Sequence, residues 1–264
     1  MKLDQLINRL RFEPFPFEPG HVWLAGAGPG GLGNVTLDVL DAVSRADAVV
    51  YDALVNPDLL QLAGGAVLHF AGKRGGRVSA AQDAINKLLV DLAGENKRVL
   101  RLKGGDPYIF GRGGEEALML AKAGIPFRVL PGVTSAFAGL AGAGIPATMR
   151  GINRAVILAT GHAPGSEGDV DWEALAATGQ PIVIYMGLTN IGRIADALMT
   201  GGMSATAPAA VIQAATTPDE RVLVATTATI AERAKAENFA SPALVVFGDI
   251  VAMRDRLHAG KAKR

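Results

Sequence analysis

The sequence contains no cysteine. That excludes disulfide stapling, thiolate catalysis and cysteine-ligated zinc or iron–sulfur sites. Aromatic residues make up only 5% of it, so the stacking platforms of a single-strand nucleic-acid binder are missing. Neither sign of charge dominates: 26 Lys and Arg stand against 25 Asp and Glu, a formal net charge of +1. Global charge therefore gives no reason to invoke nucleic acid or a membrane surface. No apolar run reaches the roughly 18 residues of a membrane span. Residues 1–20 carry charges and three prolines, without an apolar core followed by a small-residue cleavage site. The expectation is a cytoplasmic protein with no membrane partner. Also absent are a G-x-S-x-G nucleophile elbow and a G-x-x-x-x-G-K-[ST] phosphate loop. His21, His69, His162 and His258 lack metal-ligand spacing, so no metal is expected.

What the chain does have is glycine, 33 of 264 residues, against an ordinary share near 7%. In a globular chain that means many special turns and close backbone approaches. At 264 residues the length falls between one and two average domains.

The pattern alternates. HVWLAG (21–26) reads as a strand, TLDVLDAVSRA (36–46) as an amphipathic helix and ADAVVYD (46–52) as a second strand. VLHFAG (67–72) is a strand. Ser79 and Gln82 have capping-box spacing before a helix through Ile85, Leu88, Leu89 and Leu92. RVLRLKGG (98–105), a helix over 115–124, FRVLPG (127–132) and a small-residue helix over 134–144 follow. The small residues of that last helix predict a close neighbour. GIPATMRG (144–151) reads as a domain junction, after which strands and helices restart. The expected layout is an N-terminal arm (1–20), an α/β domain (21–145), a second α/β domain (151–252) and a basic tail (253–264).

Gly26, Gly28 and Gly31 match G-x-G-x-x-G after the first strand, with Asp47 or Asp52 about where a ribose-binding acid would follow. Pro29 weakens the dinucleotide reading, because it removes an N–H from a loop that should present N–H groups to pyrophosphate. A nicotinamide or flavin site, a bare turn and a different ligand all remain open on these residues. KGGDPYIFGRGGEE (103–116) is more informative. Gly104 and Gly105 end a strand and admit a ligand to the backbone. Asp106 can accept two hydroxyl donors, as a ribose requires. Arg112 sits among glycines, and Glu115 lies in the first turn of the next helix, where negative charge is favoured. GKRGGR (72–77) clusters three cations. Focused basic clusters in a balanced chain imply a small polyanion.

Together these stretches resemble the tetrapyrrole methylase family, in its uroporphyrinogen-III-methylating branch. The matching segments are VWLAGAGPG (22–30), ADAVVYDALV (46–55), GKRGGR (72–77), QDAINKLL (82–89), RVLRLKGGDPYIFGRGGEEA (98–117) and GIPFRVLPGVTSA (124–136). GIPATMR, TGH, IVIYMG and PALVVFGDIV carry it on, so that it covers roughly residues 20–252 in order and spacing. The resemblance displaces the dinucleotide reading. It implies two α/β domains with a ligand cleft between them, unlike a classical Rossmann methyltransferase. It implies a homodimer that binds S-adenosyl-L-methionine and releases S-adenosyl-L-homocysteine. The implied reaction is C-methylation of uroporphyrinogen III at C2 and C7 to precorrin-2, leading to sirohaem, cobalamin or haem d1. Carried over by position, the cofactor contacts are Pro29, Gly104, Gly105, Asp106, Ile109, Thr134, Ser135, Met186 and Ala215. Asp52 matches the family's proton acceptor and Lys73 its proton donor. Arg112, Glu115 and Arg150 match residues of substrate handling. A polycarboxylate substrate suits loop arginines. A pyrrole carbon that gains methyl must lose a proton, and Asp52 and Glu115 are both candidates to take it or to stabilise the developing charge.

Three positions depart from the family pattern. Gly31 replaces an aspartate after G-P-G, Ala53 replaces the arginine of Y-D-R-L-V, and Met149 replaces the histidine of T-H-R. The Ala53 change removes a substrate cation that Arg74 or Arg77 could supply. The cofactor half of the pattern is better kept than the substrate half. A later precorrin as substrate, or a non-catalytic tetrapyrrole-binding protein of the same fold, are the alternatives. With no dehydrogenase–ferrochelatase module before it, a stand-alone methyltransferase is the expectation.

Overall fold

A computed structural model describes residues 12–72, 80–161 and 169–258. Lys73, Arg74, Arg77, Ser79 and His162 lie outside the described residues. The chain divides into two compact units. The first comprises the described residues up to Ala27, Val35–Pro107 and Arg112–Gly132; the second comprises Gly28–Asn34, Tyr108–Gly111 and the chain from Val133 onward. The junction expected at 144–151 therefore falls inside the second unit, and two loops of the first half belong to that unit as well.

The first unit is a parallel five-stranded sheet, β1 Val22–Gly26, β2 Ala48–Tyr51, β3 Val67–Phe70, β4 Val99–Lys103 and β5 Phe127–Leu130, in the order β3-β2-β4-β1-β5. β1 is the unbroken apolar run VWLAG, buried throughout, as a strand covered on both faces requires. The helices are α1 Leu37–Arg45, the short α2 Pro57–Leu60, α3 Ala80–Gly94 and α4 Gly113–Lys122. Thr36 caps α1 by accepting the Val39 N–H, with Asp38 in the first turn and Arg45 in the last, each favourable to the helix dipole. Val39 and Val43 of α1 pack on Trp23, Val49, Leu100 and Leu102. On the opposite face Leu89 and Leu92 of α3 and Leu120 of α4 pack on Leu24, Val50 and Val99. The chain thus leaves β1 through a helix on one face and leaves its neighbour β4 through a helix on the other. Such a reversal is the switch point of an open α/β sheet, and ligands of such sheets bind at the carboxyl ends of the two strands concerned.

The arm is anchored along its described part. Phe17 is buried and stacks on Trp23 at 4.1 Å between ring centroids, and the Arg128 guanidinium lies 3.7 Å over the Phe15 ring. The described part of the arm thus covers the Trp23 indole that β1 presents.

The second unit is a mixed five-stranded sheet, β6 Ile157–Thr160, β7 Ile182–Tyr185, β8 Pro208–Gln213, β9 Arg221–Thr226 and β10 Ala243–Phe247, in the order β6-β7-β10-β8-β9. Only β6 and β7 run parallel; the other pairs are antiparallel. Helices α6 Trp172–Ala177, α7 Ile191–Thr200 and α8 Ile230–Ala236 cover one face through Trp172, Ile194, Leu198 and Ile230. Helix α5 Ser135–Gly142 covers the other, burying Ala136 and Leu140 against Val183, Ile212 and Val246. This burial places α5 with the second sheet. The small residues of α5 answer to a close neighbour: a Cβ on Gly139 would come within 3.0 Å of Ala215 and Leu244. The basic tail begins as a further helix, α9 Met253–His258, with Met253 buried and the Arg254 guanidinium donating to the Ala143 carbonyl. Residues 253–258 are thus part of the fold. Among the described residues no helix is long and apolar enough to cross a membrane.

Candidate functional site

In the first unit three glycines meet at the carboxyl end of the sheet. A Cβ on Gly26 would lie 2.6 Å from the Gly105 carbonyl oxygen and from Gly132, and one on Gly132 would lie 2.2 Å from the same oxygen. Backbone therefore packs on backbone, and Gly105 itself has φ +72°, a conformation that costs a side chain. The half-buried Asp106 carboxylate accepts the Gly132 N–H at 3.1 Å. Gly104 admits the loop after β2: a Cβ there would meet Leu54 at 2.6 Å. Asp52 follows β2, half-buried, and accepts the Leu54 N–H at 3.0 Å.

Asp47 stands at the opposite end of β2. Its carboxylate takes the Arg98 backbone N–H at 2.8 Å and both arms of the guanidinium at 2.9 and 2.8 Å. Arg98 holds the Asp47 carboxyl below its ordinary range. That pair ties β2 to β4 at their amino ends, so Asp47 is not the ribose acid its spacing suggested.

Arg112 and Glu115 hold each other: Nη2 donates to Oε2 at 2.6 Å and Nε to Oε1 at 3.0 Å. The hydrogen bond pushes the Glu115 carboxyl down and the Arg112 guanidinium up. Both side chains are about half exposed, at 57% and 47%. Two of the three residues expected to handle substrate thus form an ion pair.

Beneath them lies a buried cluster that sequence reasoning missed. Glu116 is fully buried, and one of its oxygens, Oε1, accepts from Lys103 Nζ at 3.0 Å, Arg101 Nε at 3.2 Å and Gln82 Nε2 at 3.2 Å. Burial first, and then Arg101, lowers the Lys103 pKa; Glu116 and Asp52 oppose this. The signal was present in sequence: Arg101 and Lys103 alternate within an apolar strand whose neighbours are all buried.

In the second unit the loop Gly28–Asn34 is locked onto Thr216. The Pro29 carbonyl, in a buried residue, accepts the Thr216 hydroxyl at 2.7 Å and the Asn34 amide at 2.8 Å. Gly28 and Gly30 have φ of +67° and +64°, and a Cβ on Gly30 would lie 2.4 Å from Thr216 Oγ1. Gly31 has only Thr216 near, at 3.9 Å. The loop therefore needs glycine at 28 and 30, whereas the fingerprint spacing picked out 31.

Thr134 and Ser135 begin α5. Thr134 is the N-cap residue, yet its side chain makes no capping bond. Its hydroxyl is paired instead with the Tyr185 phenol at 2.5 Å, and that phenol accepts the Ala136 N–H at 3.3 Å. Phe110 leans on the Tyr185 ring at 4.9 Å, and Ile109 packs on the same core. Met186 follows Tyr185 and is exposed. Ala215 lies between Ala214 and Thr216, in a turn held by the Glu220 carboxylate accepting the Thr216 N–H at 2.6 Å. Arg150 is exposed in a turn that Asn153 organises, accepting the Met149 N–H at 2.8 Å and donating to the Ala147 and Ala155 carbonyls at 2.9 Å.

Seven described non-glycine residues have positive φ. Two are Asn96 and Asn238, a residue type that tolerates it. The other five are Phe110, Arg112, Met186, Ala214 and Thr216. Each such residue costs of order 1–3 kcal/mol, and such strain collects at ligand sites. All five fall within, or next to, the residues that the sequence proposed. Among the described residues no three His, Asp or Glu side chains gather as a metal site.

A model of the Tetrapyrrole (Corrin/Porphyrin) Methylases matches residues 21–231. The chain belongs to this family. This methylase is 49% identical over 243 residues to a uroporphyrinogen-III C-methyltransferase of Sinorhizobium sp, covering 91% of this chain and 87% of that protein. It is 46% identical over 239 residues to a siroheme synthase of Azotobacter vinelandii, covering 90% of this chain and 52% of that one. The methylase thus spans about half the length of the siroheme synthases it matches. Among solved structures, a uroporphyrin-III C-methyltransferase from Thermus thermophilus complexed with S-adenyl homocysteine superposes with TM-score 0.77 at 35% identity, over 88% of this chain and 99% of that one. A cobalt precorrin-4 methyltransferase superposes with TM-score 0.79 at 25% identity, over 88% and 96%.

Proposed function

We propose that this methylase transfers methyl groups from S-adenosylmethionine to C2 and C7 of uroporphyrinogen III, giving precorrin-2. The observation that carries the reading is the placement of the strained residues Phe110, Arg112, Met186, Ala214 and Thr216, which coincide with the stretches the family uses for cofactor and substrate. The relative complexed with S-adenyl homocysteine supports the cofactor.

The residues present fit that cofactor. Gly26, Gly105 and Gly132 keep side chains out of the carboxyl end of the first sheet, where a Cβ would collide. Asp106 offers carboxylate lone pairs to a ribose diol. Met186 and Ala215 offer apolar contact, and Thr134 and Ser135 stand at the start of α5. When bound, S-adenosylmethionine supplies an electrophilic methyl group on a sulfonium. The chain's task is then to align the pyrrole carbon with that methyl and to exclude water. Arg112 and Arg150 pair with substrate carboxylates; for Arg112 this means exchanging Glu115 for the substrate. Asp52 accepts the proton that the methylated carbon must lose, or stabilises the positive charge that precedes its loss. Lys73 is the proposed donor. The functional assembly is proposed to be a homodimer.

A second reading, a later precorrin as substrate, is favoured by one observation: Ala53 is exposed where the branch carries arginine. An anaerobic assay with uroporphyrinogen III and S-adenosylmethionine, read by mass and by absorbance after oxidation, separates the two. Gain of two methyl groups with a sirohydrochlorin-type spectrum supports the first. No methylated product, with cofactor binding intact by calorimetry, sinks it and turns the assay to later precorrins.

A further inference from the structure

Glu116 holds an arrangement that stability alone does not favour. Two buried cations, Arg101 and Lys103, converge on one buried carboxylate, so the cluster carries a surplus positive charge. All three donors, the Gln82 amide included, crowd onto Oε1, while Oε2 is buried and has no hydrogen-bond partner among the described residues. Desolvating such groups is costly, and well-packed apolar replacements of buried ion clusters are often as stable or more so. What the cluster does supply is direction. Charged hydrogen bonds in a dry site fix the donors relative to the acceptor.

The elements so fixed are those that carry the candidate chemistry. Arg101 and Lys103 lie on β4, immediately before Gly104–Asp106, and Gln82 lies on α3. Glu116 lies in the first turn of α4, and its N–H and that of Glu115 both donate to the Arg112 carbonyl, at 3.2 and 3.1 Å. Arg112 begins this helix in the left-handed region, φ 61°, with no side-chain cap. Gly113 adds one bond of its own, to the Pro107 carbonyl at 3.0 Å.

We propose that Glu116 is a positioning residue: pinned by Arg101, Lys103 and Gln82, it sets the first turn of α4, and with it the Arg112–Glu115 pair, against the Gly104–Asp106 loop. Its effect on turnover rests on the methyltransfer reading above; its effect on the helix start does not.

The test uses the full chain in two forms, Glu116→Gln, and an apolar set Arg101→Met, Lys103→Met, Glu116→Leu. Amide hydrogen exchange is followed at residues 113–117, with the Leu120 amide as an internal control. Turnover and cofactor affinity are measured alongside. Expected are a fold that survives, exchange at 113–117 about tenfold faster with Leu120 unchanged, kcat lower by about 10²-fold for a misplaced group, and KM for S-adenosylmethionine within about threefold, because the glycine cluster that shapes that loop is untouched. If the apolar set fails to fold, Glu116→Gln decides by the same readouts. Unchanged exchange at 113–117 in a folded variant overturns the proposal, as does unchanged kcat. If the unaltered protein makes no methylated product, the methyltransfer reading fails, and the exchange result alone decides the role of Glu116.

Discussion

The Tyr185 phenol lies 2.5 Å from the Thr134 hydroxyl and accepts the Ala136 N–H at 3.3 Å, so a residue at the end of β7 caps helix α5 in place of the helix's own N-cap. Tyr185→Phe leaves that N–H and the Thr134 hydroxyl to find other partners. A buried unsatisfied donor costs about 1–3 kcal/mol, but Thr134 is then free to take over the cap. The expected loss in urea unfolding is therefore near the lower end, about 1 kcal/mol. Thr134→Ala on top of Tyr185→Phe should cost more than Thr134→Ala alone. Strict additivity in the double-mutant cycle would refute the substitution of one cap for the other.

Gly30 and Gly31 are neighbours with opposite requirements. Gly30 has φ +64° and no room for a Cβ against Thr216; Gly31 has room. Gly30→Ala should destabilise by more than about 1 kcal/mol, since alanine is strained at positive φ, and should weaken cofactor binding. Gly31→Ala and Gly31→Asp should leave the melting temperature nearly unchanged. Equal effects at the two positions in calorimetric melting would contradict this loop geometry.

Asp106 is the residue expected to hold a ribose. Asp106→Asn keeps the size but removes charge and one acceptor. A hydrogen bond to a charged group contributes about 1.5–3 kcal/mol, so affinity for S-adenosylhomocysteine should fall by about tenfold or more in titration calorimetry. An unchanged dissociation constant would remove Asp106 from the cofactor site.

The Asp47–Arg98 pair gives the first unit a pH signature. The Arg98 guanidinium lowers the folded-state pKa of Asp47 below the ordinary carboxylate range. The unfolded chain then binds more protons between the folded and unfolded values. The pair's contribution is complete above the ordinary carboxylate pKa and is lost as pH falls through the lowered one. Both side chains are more than a third exposed, so solvent screening keeps the contribution to about 1 kcal/mol. Asp47→Asn should lower stability near neutral pH by about that amount and flatten the acid limb of stability against pH. An acid limb of unchanged slope would show that the pair does not titrate with folding.

Much of this architecture was legible in the chain. The alternation of apolar runs with helical spacing marks β1, α1 and β2, because periodicity is a local property of residues within a turn or a pleat of one another. The G-G-D run after β4 and the family pattern around it needed no coordinates. Other features depend on residues far apart. Pro29 and Thr216, 187 positions apart, meet in one hydrogen bond, and that contact decides that Gly30, rather than Gly31, has no room for a side chain. Asp47 and Asp52 both lie near the proper spacing for a ribose acid, yet strand direction puts them at opposite ends of β2. The unit boundary turned on which sheet buries Ala136 and Leu140 of α5, a matter of packing that α5's own small-residue pattern does not record. Arg101 and Lys103 stand two apart in an apolar run, which marks them as cations of a buried strand; only the folded chain brings them to the buried Glu116. The sequence by itself determined the elements and the residue chemistry. The tertiary structure alone decided burial, register and the sign of φ at Phe110, Arg112, Met186, Ala214 and Thr216, because those are set by neighbours that the local sequence does not contain.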